Sequence, residues 1–256
     1  MIKNYFKIAW RNLIRDRQFT FLNLIGLSTG LACALLILLW VNDERSVDRF
    51  HEKDDRLYQV MQNNPEGDGS LHTDGHTPGL LAESLKNEMP EVEDAAVVAY
   101  PFDRTNGILS VGDKKIKATE LYVSRNFFDV FSYYIIGGNK GEVLAGKYNV
   151  LLSEETALKL FNTTENITGK TIAWDRGTDY EGKVSGSYIV SGIFKKPPSN
   201  STAQFDLLFT YELYFEKYKE NLEQWPNSNP STYVVLKKEQ TLIGSMRKSG
   251  ISEKKK

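Results

Sequence analysis

The chain has 256 residues, with 32 Lys and Arg against 33 Asp and Glu, and 41% of its residues are hydrophobic. This length suits one or two globular domains, and the hydrophobic content excludes a disordered polymer. The near-neutral charge argues against nucleic acid as a partner, because it provides no broad basic field. The single cysteine, Cys33, excludes an internal disulfide, and there is no Cys/His set for a structural zinc site.

One apolar segment near the N-terminus sets the interpretation of the whole chain. Residues 19–41 are 23 consecutive residues without a charge, and a helix of that length crosses a hydrocarbon core of about 30 Å. The segment therefore predicts a transmembrane helix. A cleaved signal peptide is the alternative, but its apolar region is usually only about 7–15 residues long, and no A-x-A-like cleavage site follows residue 41.

The charges that flank this segment predict its orientation. Residues 1–18 contain five basic residues and one acidic residue, a net charge of +4, whereas residues 42–56 have a net charge of −2. Because basic flanks stay in the cytoplasm, we expect the N-terminus to be cytoplasmic and the bulk of the chain to lie on the far side of the membrane.

Residues 1–18 have the pattern of an amphipathic helix on the cytoplasmic membrane face. One face is apolar and includes Trp10, which we expect at headgroup depth next to membrane lipid. A plain basic start to the membrane anchor is the alternative. The cationic face, expected toward anionic lipid, consists of Lys3, Lys7, Arg11 and Arg15.

Within the transmembrane segment, Gly26 and Gly30 form a GxxxG pattern that Ala34 extends at the same spacing. Such a ridge of small residues allows another helix to approach closely, so these three residues are candidates for helix packing. Many membrane helices carry such a pair by chance, which is the alternative.

Residues 42–240 interleave strand and helix signals and predict an α+β domain. A helix is expected after Thr77 and Pro78, with Thr77 as its cap, and a second helix is expected over 153–161. A short helical turn is expected at 126–131, and residues 62–75 read as a polar loop. Strands are expected at 56–61, 92–100, 108–111, 115–118, 150–152, 171–174, 187–194, 205–210 and 233–237.

The sequence matches known catalytic and ligand-binding motifs only weakly. Gly141 to Lys147 matches the start of a P-loop, but Tyr148 stands where a Ser or Thr should bind magnesium, so a plain turn is favoured. His72, Asp74 and His76 contain metal-ligand types, yet loop histidines are usually just exposed. No nucleophile elbow and no acid/base pair is visible, so we predict no catalytic, cofactor-binding or metal site and a protein that is not an enzyme.

Motifs along most of the chain resemble the MacB/FtsX-type ABC transporter permeases, in particular their N-terminal part with the MacB-like periplasmic core domain. The basic start and apolar segment are similar to the first helices of that family. The motifs Asp48 to His51, Arg56 to Val60 and Thr77 to Leu85 resemble the segment that follows. Four later segments also resemble core motifs of the family, at residues 126–132, 152–157, 167–171 and 190–194.

The resemblance implies a bacterial inner-membrane protein with a periplasmic domain of two mixed α/β lobes over 42–240, one lobe of about 145–187 being inserted in the other. It implies a permease that couples ATP hydrolysis by a separate cytoplasmic ABC ATPase subunit to motion of this domain, for export or extraction of a substrate. The implied partners also include a second permease copy and a periplasmic protein.

Family members continue into three further membrane helices, and residues 241–256 form only a polar tail. We therefore expect the chain to be a truncated permease, ending near this tail. The alternative function is a single-pass, membrane-anchored periplasmic binding or sensing module.

Overall fold

A computed structural model describes residues 2–101, 106–177, 183–227 and 229–238. The chain divides into two compact units, Met1–Val47 and Asp48–Lys256. The expected tail at 241–256 lies outside the described residues.

The first unit consists of two helices, α1 (Ile2–Arg15) and α2 (Arg17–Ser46). The helical backbone is interrupted at Asp16, which has φ −104° and ψ 58°. The Thr20 hydroxyl donates to the Leu13 carbonyl oxygen at 2.9 Å and so joins the two helices across the interruption. Every described α2 side chain from Phe21 to Arg45 is exposed, and this helix is long and apolar enough to cross a membrane.

The second unit is a mixed α/β domain. Its helices are α3 (Leu81–Glu88), α4 (Phe127–Val130), α5 (Glu154–Phe161), α6 (Tyr211–Lys217) and α7 (Lys219–Leu222). Its strands are β1 (Leu57–Gln59), β2 (Gln62–Pro65), β3 (Leu71–Asp74), β4 (Val92–Ala99), β5 (Gly107–Val111), β6 (Lys114–Ala118), β7 (Glu120–Val123), β8 (Ile135–Gly137), β9 (Asn149–Ser153), β10 (Thr171–Asp175), β11 (Gly186–Phe194), β12 (Leu207–Thr210) and β13 (Ser231–Leu236). The α+β prediction is thus confirmed.

Eleven of these strands form one sheet in the order β1-β13-β4-β7-β12-β9-β11-β10-β5-β6, with β8 paired to β11. Most pairs are antiparallel, and the pairs β11/β9 and β12/β7 are parallel. The strands β9 and β10 come from the expected inserted lobe and belong to this same sheet. The boundaries of that lobe stay a prediction.

The middle strands of the sheet are apolar on both faces. In β12, Leu207 and Phe209 belong to one hydrophobic cluster and Leu208, between them, belongs to another. The same alternation holds in β9, where Leu151 points away from its neighbours. Since successive strand residues point to opposite faces, these strands need a core on each side.

The outer strands β10, β5 and β6 also contribute buried residues to the first of these two clusters. The Trp174 ring of β10 lies 5.8 Å from the Phe209 ring of β12. The close approach of Trp174 to β5 depends on a glycine, because a Cβ atom at Gly107 would lie 2.3 Å from the Trp174 ring.

Several predicted elements form for the physical reason expected. The Ser153 side chain accepts a hydrogen bond from the Thr156 backbone N–H and caps α5. The β5–β6 hairpin turns at Gly112, which has φ 56°. The aromatic segment at 126–131 forms α4, whose residue Phe127 is buried in the second cluster.

Two expectations about local structure are wrong, and two helices were not expected at all. Residues 62–75 are not a loop but the β2–β3 hairpin, whose polar residues gave no alternating apolar pattern. Thr77 does not cap a helix: it is buried, its hydroxyl donates to the Pro230 carbonyl oxygen at 3.1 Å, and α3 begins only at Leu81. The helices α6 and α7 were not expected, although the Thr210 side chain caps α6.

Candidate functional site

The clearest polar cluster in the domain is the turn formed by residues 48–51, here named the anchor turn. It begins two residues after the end of α2. The His51 backbone N–H donates to the Asp48 carbonyl oxygen at 3.4 Å, which closes the turn. Both Asp48 and His51 are only 4% exposed. Buried ionisable residues of this kind require bonded partners, so the partners define the site.

Asp48 ties the anchor turn to residues 200–202. Its carboxylate Oδ1 accepts from the Ser201 hydroxyl at 3.2 Å and from the Thr202 backbone N–H at 3.0 Å. Its own N–H donates to the Asn200 carbonyl oxygen at 3.1 Å. Asp48 has φ 58°, a left-handed conformation that Asp tolerates better than most residues.

His51 ties the same turn to residues 131–133. Its Nδ1 accepts from the Ser132 backbone N–H at 3.1 Å, and the Ser132 hydroxyl accepts from the Glu52 N–H at 2.9 Å. The His51 ring makes edge contacts with the rings of Phe131 and Tyr133 at 5.3 Å each. The Ser132 backbone N–H thus occupies the lone pair of His51 Nδ1.

Two tyrosines close the cluster. The Tyr133 hydroxyl lies 3.2 Å from the Ser201 hydroxyl. Burial raises the pKa of Tyr133; the hydrogen bond with Ser201 opposes this rise, and the Asp48 charge adds to it. Burial also raises the pKa of Tyr233, with smaller contributions from Tyr100 and Asp48. Both phenols therefore stay protonated and neutral around the buried carboxylate.

Beside the anchor turn lies an open cleft of about 540 Å³, here named the anchor groove. Ion pairs stand at its rim: Lys140 Nζ lies 2.9 Å from Asp129 Oδ1, and Lys53 Nζ lies 3.2 Å from Glu93 Oε1. Hydrogen bonds from Arg56 and Lys53 lower the pKa of Glu93. The residues of the groove used below are Glu52, Lys53, Asp129, Ser132, Tyr134 and Lys140.

The residues predicted from sequence lie in the first unit, apart from this cluster in the chain. On α1, the side chains of Trp10, Lys7, Arg11 and Arg15 are exposed, whereas the Lys3 side chain lies outside the described residues. On α2, Gly26, Gly30 and Ala34 are exposed, and a Cβ atom added at either glycine would meet nothing within 4 Å. Their roles stay predictions.

The weak chemical motifs can be placed as well. The segment 141–147 is followed by a strand, β9, whereas a P-loop leads into a helix. His76 Nδ1 lies 2.8 Å from Asp74 Oδ1, and the described residues contain no group of three or more His, Cys, Asp or Glu side chains that could hold a metal ion.

Sequence reasoning did not single out the anchor turn as a site. Asp48 and His51 were noted only for their resemblance to family motifs. The position of two ionisable residues directly after a membrane helix is a usable signal, but their burial depends on partners about 80 and 150 residues later in the chain.

The fold and the N-terminal apolar helix together define a membrane-anchored protein with a mixed α/β domain. The profile of the family described as "MacB-like periplasmic core domain" matches residues 20–243. The chain belongs to this family. No curated protein matches the chain at a significant level.

Two solved structures share the fold. The periplasmic region of MacB from Actinobacillus actinomycetemcomitans is 17% identical, with a TM-score of 0.53, covering 80% of this chain and 82% of that one. A domain of a protein from Porphyromonas gingivalis that is described as a permease is 20% identical, with a TM-score of 0.60, covering 77% of this chain and 86% of that one. At these identities the likeness concerns the fold alone.

Proposed function

We propose that this chain is the permease subunit of an ABC transporter, or the N-terminal part of one, in which ATP hydrolysis by a separate cytoplasmic ATPase moves the periplasmic domain to export or extract a substrate. Family membership supports the transporter role. The observation that carries the coupling is the anchor turn: two residues beyond α2, the chain is buried and hydrogen-bonded to two distant segments. A displacement of the end of α2 would therefore pass to the domain through bonded groups.

The N-terminal unit has three further roles in this proposal. We place the protein in a bacterial inner membrane with α1 on the cytoplasmic leaflet, because five basic residues precede the apolar segment. Trp10 and the basic side chains of α1 contact lipid headgroups. The ridge of Gly26, Gly30 and Ala34 packs against another membrane helix, either from a second permease copy or from the same transporter. A periplasmic protein is a further partner.

The coupling is tested by inserting a flexible linker into the chain. A flexible Gly-Ser insertion between Val47 and Asp48 leaves both units intact but separates the end of α2 from the anchor turn. The control is the same insertion at Gly67, in the turn of the β2–β3 hairpin, which lies outside the large sheet. The full chain is purified from its host with any ATPase that accompanies it, and amide hydrogen exchange is followed with and without ATP.

We expect ATP to change the exchange of the Ser132 and Thr202 amides in the native chain and in the control, and to leave it unchanged in the Val47/Asp48 insertion. An ATP response that survives this insertion contradicts coupling through the anchor turn. If no ATPase accompanies the chain and residues 42–256 hold a ligand instead, the single-pass binding or sensing module is the correct function.

A further inference from the structure

Exposed apolar side chains border the anchor groove. Tyr134, which lines the groove, is 70% exposed, and Ile136 on β8 is 49% exposed. Lys195 is exposed and lies opposite Tyr134, because its backbone N–H donates to the Tyr134 carbonyl oxygen at 2.8 Å. Tyrosine and lysine beside an aliphatic side chain are typical of the membrane–water interface, where an apolar body meets lipid and a polar tip stays hydrated.

The covalent chain limits how far the anchor turn can lie from a bilayer that α2 spans. The uncharged segment ends at Val41 and α2 continues to Ser46, so about 7 Å of helix extends past the hydrocarbon. Asp48 comes two residues later and adds at most about 7 Å. With a headgroup layer of roughly 5–7 Å, Asp48 lies within about 10 Å of the headgroups. Glu52 follows Asp48 by four residues, at most about 14 Å of chain, and its N–H donates to the Ser132 hydroxyl in the groove.

The charges of the groove select one kind of headgroup. Two cations, Lys53 and Lys140, and two carboxylates, Glu52 and Asp129, line it, so its net charge is zero. A phosphate accepts from lysine ammonium groups, and a primary ammonium donates to carboxylates. Phosphoethanolamine carries both groups, whereas the choline headgroup has no N–H donor and a phosphoglycerol headgroup has no cation.

We propose that the anchor groove binds phosphoethanolamine headgroups of the bilayer, with Tyr134 and Ile136 entering the interface beside it. The inference rests on the membrane anchoring in the proposed function and not on the ATPase. It gives the domain a second, non-covalent attachment to the membrane, next to the covalent one at Asp48.

The position of the surface is tested by fluorescence quenching of the full chain in vesicles of equal parts phosphatidylethanolamine and phosphatidylcholine. Cys33→Ser removes the native thiol, and a fluorophore is attached at Ile136→Cys. The matched control is Ile189→Cys, since Ile189 is 48% exposed and lies about 15 Å away along β11. The quencher is a nitroxide carried on a lipid headgroup.

We expect quenching at position 136 to exceed quenching at position 189 by about twofold or more, and Tyr134→Ser to reduce the excess. Equal quenching at the two positions overturns the proposal. A chain that does not enter the vesicles overturns both this inference and the membrane anchoring. A negative result with an intact ATP response at Ser132 overturns this inference alone.

Headgroup selection is tested by mass spectrometry of the intact chain in detergent, supplied with equal amounts of the two lipids. The double variant Glu52→Gln/Lys140→Ala removes one carboxylate and one cation from the groove. The control, Glu216→Gln/Lys147→Ala, removes an exposed ion pair of 2.5 Å whose residues do not line the groove.

We expect the native chain and the control to retain phosphatidylethanolamine over phosphatidylcholine, and the groove variant to lose this preference by about tenfold, as for a charge-assisted bond. An unchanged preference in the groove variant, or the same loss in the control, overturns the assignment of the headgroup.

Discussion

The helix α2 and the middle strands of the sheet have similarly apolar sequences in opposite surroundings. Described α2 side chains from Phe21 to Arg45 are exposed, whereas every residue of β12 and of β7 is buried. A helix satisfies its own backbone groups and can therefore lie in lipid, but a strand needs neighbours on both sides. An apolar run thus indicates that its side chains are shielded from water. A run long enough for a membrane helix indicates lipid surroundings, and a run of strand length indicates a protein core.

The largest expected effect comes from removing one charge of a buried ion pair in the domain. Arg176 Nε lies 3.1 Å from Glu120 Oε1, and both side chains are almost fully buried. We expect Glu120→Gln to lower the free energy of unfolding by about 3–5 kcal/mol, because it removes the charge of one partner in a buried ion pair. Urea unfolding of the full chain in detergent, followed by tryptophan fluorescence, measures this loss.

The control for this prediction is Glu216→Gln, which removes the same charge from the exposed pair with Lys147. Its expected cost is less than about 1 kcal/mol. A similar cost for the two variants would show that burial does not decide the strength of these ion pairs. Restoring stability with Glu120→Gln/Arg176→Met would support the stated cause.

Two leucines, one in each region, allow a direct comparison of the same substitution. Leu151 in β9 is fully buried and Leu36 in α2 is exposed. We expect Leu151→Ala to cost about 2–5 kcal/mol of domain stability, since it leaves a cavity in packed protein. Leu36→Ala should leave the same urea transition unchanged within about 0.5 kcal/mol, because this side chain is exposed. Equal shifts of the two transitions would contradict the distinction between the regions.

The sequence predicts an element well where one local cause is enough. The strand at 150–152 and the helix after it follow from a short apolar run and the Ser153 cap, and both form. The β2–β3 hairpin could not be predicted in this way, since its ladder joins polar residues such as Asn63 and Thr73. Thr77 carries the signal of a cap, but bonds to residues 230–232 outweigh it.

The candidate site depends even more on contacts that are distant in the chain. The sequence identifies where the membrane segment ends, and so where a connection to the domain must begin. It does not show that Asp48 is buried, because Ser201 and Thr202 supply the hydrogen bonds that make burial tolerable. The left-handed backbone of Asp48 is likewise stabilised by these partners and has no local signal.

A smaller effect concerns charges at the exposed surface of the domain. Hydrogen bonds from Lys159 and Lys196 lower the pKa of Glu155 from 4.5 to about 2. A carboxylate with a lowered folded-state pKa stabilises the fold above its unfolded pKa, and this contribution is lost as the pH falls from about 4.5 through about 2. Because Glu155 is exposed, we expect its contribution to the free energy of unfolding to be less than about 1 kcal/mol.

The measurement is the difference in unfolding free energy between the native chain and Glu155→Gln at pH 7 and at pH 3. The difference should shrink at the lower pH and in high salt, which screens exposed pairs. A difference that grows as the pH falls would contradict the sign of the shift.

The smallest expected effect on the domain comes from substitutions in the ridge on α2, which test the helix rather than the sheet. Gly26→Leu or Gly30→Leu places a large side chain where close helix packing needs a small one, so crosslinking of α2 to neighbouring membrane helices should fall. Domain stability should stay unchanged, because both glycines are exposed. The control is Leu27→Ala, one residue off the ridge and also exposed. Unchanged crosslinking in both glycine variants would show that the ridge does not pack, and that α2 presents its whole surface to lipid.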